Sequence, residues 1–126
     1  MKDILTITES GAWKFVLTEQ ESDTTGPVPD VIEVGTYGNN VISGTFDETI
    51  DDGSVPEPED FTLTFSGGAV SVSVAQITAG PYLILTLSRV ITVGETGSLV
   101  YSGTAIKDTW GNSAAGFTET ITNNVT

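Results

Sequence analysis

The chain has no cysteine and no histidine, and only 4 of its 126 residues are basic. Without thiols there is no cysteine nucleophile, no disulfide framework and no thiolate zinc site. Without imidazole there is no Ser-His-Asp arrangement, and the commonest general base and transition-metal ligand are both missing. The 4 basic residues face 17 acidic ones, for a net charge of −13. Such a chain repels phosphate backbones and anionic lipid surfaces, so neither nucleic acid nor membrane is an expected partner. Its acidity serves solubility first; cation binding or docking on a basic surface is the sharper alternative. The longest apolar run, Pro81 to Leu87, is strand-sized and too short to cross a bilayer. Met1-Lys2-Asp3 leads straight into alternating residues, so no signal peptide is expected and synthesis is expected in a cytoplasm.

What is present is β-forming. Short runs rich in Val, Ile, Thr, Phe and Tyr recur between Gly, Asn, Asp and Pro clusters, and no segment keeps a helical apolar period. Strands are predicted near 31–37, 40–46, 61–66, 69–78, 81–88, 97–104 and 116–123. In Phe61-Thr62-Leu63-Thr64-Phe65 the apolar side chains share one face. Val70-Ser71-Val72-Ser73-Val74 repeats the code with serine outside. Tyr82 to Leu87 reads as a central strand covered on both faces. Gly67-Gly68 is predicted as a tight hairpin turn between two such runs, and Gly38-Asn39-Asn40 as a source of positive φ for another. Seven strands at this spacing predict an all-β, two-sheet sandwich.

Two segments stand apart. Residues 47–60 hold 7 of the 17 acids and 2 of the 5 prolines. Pro56 and Pro58 exclude a central strand there, and a short helical turn is expected near Gly53 to Val55. Residues 1–22 contain two alternating runs around Ser10-Gly11-Ala12, which predict an N-terminal β-hairpin or arm ahead of a body at 23–126. A lone hairpin is marginal in water. The arm must therefore rest on the sandwich, on a sister subunit or on another protein, with Leu5, Ile7, Trp13, Phe15 and Leu17 as the candidate partner-binding residues. Trp13 is the leading one, since indoles are common hot spots.

Two readings compete at each polar candidate. Asp108 and Asn112 either cap a turn, with Gly111-Asn112 in left-handed conformations, or offer oxygens to Ca²⁺ together with Asp47, Glu48 and Asp51. Trp110 either closes the end of the sandwich or stacks on a sugar ring. The acids of 47–60 lie next to one another on one loop, not across a cleft as glycoside hydrolysis needs. No enzyme is expected.

From Asp23 onward the chain resembles bacterial Ig-like repeats of the SwmB type, found in large cell-surface proteins. Four segments carry the likeness in order: Asp23-Thr24-Thr25-Gly26-Pro27; Gly44-Thr45-Phe46-Asp47-Glu48-Thr49-Ile50-Asp51; Ser54-Val55-Pro56 with Asp60-Phe61-Thr62-Leu63; and Ile106-Lys107-Asp108-Thr109-Trp110-Gly111-Asn112. The resemblance implies an Ig-like β-sandwich. Such repeats usually stand in tandem within exported chains, whereas here one copy follows its own Met1. Phage Ig-like domains reconcile the two, because they are made in the host cytoplasm and leave by lysis. The expectation is therefore a structural virion protein of a tailed phage, a head decoration or head fibre. Its arm would bind a capsid or tail protein and its sandwiches would form a homo-oligomer. The alternatives are a tail or baseplate component, or an adhesion module that binds a glycan or host surface.

Overall fold

The computed structural model describes residues 24–78 and 80–126, together with the backbone of 2–3, 6–8, 14–16 and 20–21. Before residue 24, β1 (Lys2–Asp3) pairs antiparallel with β4 (Gln20–Glu21), and β2 (Thr6–Thr8) pairs antiparallel with β3 (Lys14–Val16).

All seven strands predicted for the body form. They are β5 (Pro29–Val34), β6 (Val41–Phe46), β7 (Phe61–Phe65), β8 (Val72–Thr78), β9 (Tyr82–Leu87), β10 (Gly97–Tyr101) and β11 (Phe117–Asn123). They hydrogen-bond in the order β7-β10-β11-β5-β6-β9-β8. Every junction is antiparallel except β11 to β5, where two parallel pairs, Thr122 with Glu33 and Asn123 with Val34, link the layers. The sheet curls at that short seam into a β-sandwich. The three strands on one side of the seam and the four on the other enclose one apolar cluster.

Alternation fills the cluster. Ile32 and Val34, Ile42 and Phe46, Leu83, Leu85 and Leu87 come from one layer; Phe61, Phe65, Leu99, Tyr101 and Ile121 come from the other. Each such side chain contributes about 1.5–3 kcal/mol when fully buried. Aromatic rings join the layers. Phe61 lies 5.1 Å from Tyr101, Tyr101 lies 5.3 Å from Phe117, and Phe117 meets Phe46 edge-on at 6.0 Å. Ile50, Ile91, Ile106 and Ala114 bring the connecting loops into the same core, and Val125 brings in the segment after β11.

The structure corrects several local expectations. Gly67-Gly68 makes a turn, but not a hairpin: β7 pairs with β10 and β8 with β9, so this turn carries the chain from one layer to the other. In β8 the alternation breaks. Val72 opposes Leu87 while Val74 opposes Thr86, so Ser73 is an extra residue. A bulge of this kind puts two successive side chains outward. Val74 is accordingly exposed, and Ala75 takes the inward position. β9 is interior to the ladder, yet Ile84 and Thr86 on its outer face are only half-buried, so it is not covered on both faces. The helical turn forms at Pro58–Asp60, not near Gly53: Pro58 presets the first φ, and Asp60 accepts the Glu57 N–H at 3.2 Å. No described residue other than glycine has positive φ, so Asn39, Asn40 and Asn112 turn without left-handed angles.

Candidate functional site

The last connection, between β10 and β11, contains a miniature hairpin. Lys107 bridges Ser113, and the Ala114 N–H donates to the Ile106 carbonyl at 2.8 Å. Its tip reverses at Asp108–Asn112, with Gly111 at φ 87°, a conformation that favours glycine. Asp108 is the organising residue and is 1% exposed. Its Oδ1 accepts the N–H groups of Trp110 at 2.9 Å and Asn112 at 2.8 Å, and its Oδ2 accepts the Asn112 side-chain amide at 3.0 Å. A buried carboxylate needs such donors to offset its lost hydration. Trp110 itself stands at the rim, 53% exposed.

The acidic loop joins this hairpin through its backbone. Ile50 bridges Asp108, and the Asp51 N–H donates to the Lys107 carbonyl at 2.8 Å. The loop's carboxylates then serve their own turns. Asp51 accepts from the Gly53 N–H at 3.1 Å and the Ser54 hydroxyl at 2.8 Å. The Ser54 bond chiefly, then the Gly53 amide, holds its carboxyl below the ordinary range. Asp47 Oδ1 accepts the Val28 N–H at 2.9 Å, tying down the segment that feeds β5. Glu48 is half-buried in the turn after β6 and has an interaction of its own.

The five residues weighed as calcium ligands therefore lie at one end of the sandwich, linked through backbone. Among the described residues no group of three or more acidic side chains is placed to hold a metal ion. A hollow of about 230 Å³ between Thr49–Asp52, Gly80 and Thr109 has Asp51 and Asp52 as its acidic lining. Calcium takes about six to eight oxygens. A groove of about 300 Å³, lined by Thr25–Pro29, Ser113 and Ala115–Phe117, has no ionisable side chain. Leu5, Trp13 and Leu17 lie outside the described residues. For Ile7 and Phe15 only the backbone pairing is described, one opposite the other.

Sequence reasoning did not single out the second buried carboxylate, Glu95, which sits in the β9–β10 loop. Arg89, the chain's only arginine, grips it with both terminal nitrogens, at 3.0 Å to Oε2 and 2.8 Å to Oε1. Oε2 also accepts the Thr92 N–H at 2.7 Å and its hydroxyl at 3.0 Å, while Oε1 accepts the Gly67 N–H at 3.0 Å. Arg89 further donates to the carbonyls of Gly68, Ala69 and Val90. The pair thus clasps the β7–β8 crossover to the β9–β10 loop. Gly67 leaves room for this, because a Cβ at this position would displace the Glu95 carboxylate from its bonds. The available signals were the solitary arginine and the Thr92-Val93-Gly94-Glu95 pattern, in which an acid can cap a turn begun three residues earlier.

The Arg89 ion pair, then the Thr92 amide, brings the Glu95 carboxyl down to about 2 from an ordinary value near 4.5. A carboxyl depressed on folding adds stability above its unfolded pKa and loses it as pH falls through the folded one. The stability the clasp contributes is therefore full above about pH 4.5 and declines between about 4.5 and 2. Glu95→Gln should flatten the dependence of the melting temperature on pH across that window. An unchanged slope in the variant would count against the clasp.

No family model matches this chain, and no curated protein sequence matches it. Solved structures do. The N-terminal part of the bacterial S-layer protein SbsC superposes with a TM-score of 0.63 at 23% identity, over 78% of this chain and 23% of the other. The S-layer protein rSbsC(31-844) superposes with a TM-score of 0.62 at 22% identity, over 76% of this chain and 13% of the other. The likeness is one of fold, and the chain spans less than a quarter of either neighbour.

Proposed function

We propose that this chain is a non-enzymatic structural module of an extracellular protein assembly, displaying a rigid acidic sandwich and attached through residues 1–22. One observation carries the reading. The two buried carboxylates, Asp108 and Glu95, both bind loop amides, so each closes a loop of the sandwich. The Ig-like resemblance and the fold shared with S-layer domains support a load-bearing role, by analogy of fold. The finer assignment is to a tailed-phage particle, with the arm on a capsid or tail protein.

Density-gradient sedimentation of a lysate, probed with an antibody to the sandwich, tests both levels. The chain should co-sediment with intact particles, and a Trp13→Asp chain should remain at the top of the gradient. Recovery with cell envelopes would replace the particle by a bacterial surface and keep the structural role. Recovery only as a free soluble protein would overturn the proposal.

A further inference from the structure

The hydrogen-bonded ladder ends in two free edges, β8 on one side and β7 on the other. The bulge at Ser73 blunts the edge of β8, one way in which proteins keep a strand from pairing further. β7 lacks such a device: its register against β10 is unbroken, and Phe61–Phe65 contains no proline and no charge. The ladder bonds fix which of its backbone groups face outward. The Ser66 N–H donates to the Thr96 carbonyl at 2.9 Å, and the Ser102 N–H to the Asp60 carbonyl at 3.0 Å. Backbone direction alternates along a strand, so residues 60, 62, 64 and 66 bond to β10 while Phe61, Leu63 and Phe65 turn their groups to the open edge. The Phe61 N–H is taken by the Pro58 carbonyl, and the Phe65 carbonyl accepts the Gly68 N–H at 3.3 Å. The Phe61 carbonyl, the N–H and carbonyl of Leu63 and the Phe65 N–H are left without a hydrogen bond among the described residues.

This edge is complementary to itself. Phe61-Thr62-Leu63-Thr64-Phe65 reads the same in both directions. Against an antiparallel copy centred on Leu63, Leu63 faces Leu63, Phe61 faces Phe65 and Thr62 faces Thr64. Each Leu63 N–H then meets the other copy's Leu63 carbonyl, and each Phe65 N–H meets the other copy's Phe61 carbonyl. All the free groups of both edges are used, and the groups already bonded, the Phe61 N–H and the Phe65 carbonyl, fall opposite each other. A shift of two residues in either direction leaves half of the free groups unpaired. The side chains fit the same register. Leu63 points to the core beside Leu99, which is fully buried, yet is itself only half-buried because its strand ends the sheet. A second Leu63 covers that open side. Thr62 and Thr64 are exposed on the outer face, and threonine pairs across strands are favourable. Antiparallel pairing also sets Asp60 opposite Ser66, so the acidic turns at Glu57, Glu59 and Asp60 of the two copies lie at opposite ends of the junction. They stand about 20 Å apart along the strands, beyond the screening distance of about 8 Å at physiological salt.

We infer that β7 pairs antiparallel with β7 of a second copy, joining the β7-β10-β11 layers of two sandwiches into one continuous sheet about a twofold axis at Leu63. The inference concerns the sandwich alone and does not depend on residues 1–22 or on what they attach to. The unmodified protein should have a solution mass of two 13.2 kDa chains. Register is read with introduced cysteines, since the chain has none of its own. Full-length Thr62→Cys and Thr64→Cys chains, carrying tags of different size, are mixed and mildly oxidised. A disulfide between unlike chains is expected, because opposed residues of this non-hydrogen-bonded pair have Cα atoms about 4.5 Å apart, within the span of a disulfide. Each variant oxidised by itself should stay uncross-linked, because like residues are two positions out of step. A Thr62→Glu/Thr64→Glu chain sets like charges against each other and should have the mass of one chain with an unchanged β circular-dichroism spectrum. Mixing it with a Thr62→Lys/Thr64→Lys chain should restore the two-chain mass. A monomeric unmodified protein would overturn the inference. So would a dimer in which unlike cysteine chains fail to cross-link, or in which like chains cross-link equally well.

Discussion

Asp108→Ala should destabilise the sandwich by about 2–3 kcal/mol, because it removes a buried, charged acceptor from three part-buried loop donors and puts nothing in its place. The carboxylate holds the amides of Trp110 and Asn112 and the Asn112 side chain. The turn it organises positions Ile106 and Ala114 in the core and adjoins Ile50 across a β-bridge. In a domain of this size the melting temperature should fall by about 10 °C. Asp108→Asn retains one carbonyl acceptor and should cost less. Urea unfolding of the three proteins gives the order directly. A loss below about 0.5 kcal/mol for the alanine variant, the range of ordinary surface changes, would remove Asp108 from its structural role.

Tyr101→Phe isolates a single oxygen. The ring, buried between Phe61 and Phe117, is retained. The hydroxyl is lost, and with it the acceptor for the N–H groups of Ala105 at 3.0 Å and Ile106 at 3.1 Å. Burial raises the Tyr101 pKa, so the neutral phenol is the form that does this. The expected cost is about 1–3 kcal/mol, because two backbone donors lose their partner inside the fold. Guanidinium melts measure it. A neutral substitution would mean that water reaches this loop and replaces the phenol.

These two positions also illustrate what the sequence conveys. Strand positions depend on local composition, so runs such as Phe61–Phe65 and Phe117–Asn123 are readable by eye. The Asp108 turn is readable for the same reason, since the donors and the acceptor lie within four residues. Partner choice is not local. Nothing within Phe61–Ser71 shows that β7 pairs with β10, more than thirty residues on, instead of with its neighbour β8. Nor does Val70–Val74 announce its bulge, which arises from register against β9. Glu95 escaped for a similar reason: the Gly67 amide that it holds lies 28 residues earlier. Short-range carboxylate chemistry suggested calcium at Asp47, Glu48, Asp51, Asp108 and Asn112. In the fold, Asp47, Asp51 and Asp108 accept hydrogen bonds from amide and hydroxyl donors. The arm residues Leu5, Trp13 and Leu17 lie outside the described structure.

The central claim is that the buried carboxylates hold the loops of the sandwich shut. Native-state hydrogen exchange at the amides of Gly67, Thr92, Trp110 and Asn112 tests this most directly. All four sit in loops, which ordinarily exchange through small local openings. Bound by Glu95 and Asp108, they should exchange only as slowly as the core-strand amides of Leu85 and Leu99, within about tenfold, or about 1.4 kcal/mol of opening free energy. Exchange at the rate of free loop amides would contradict the claim.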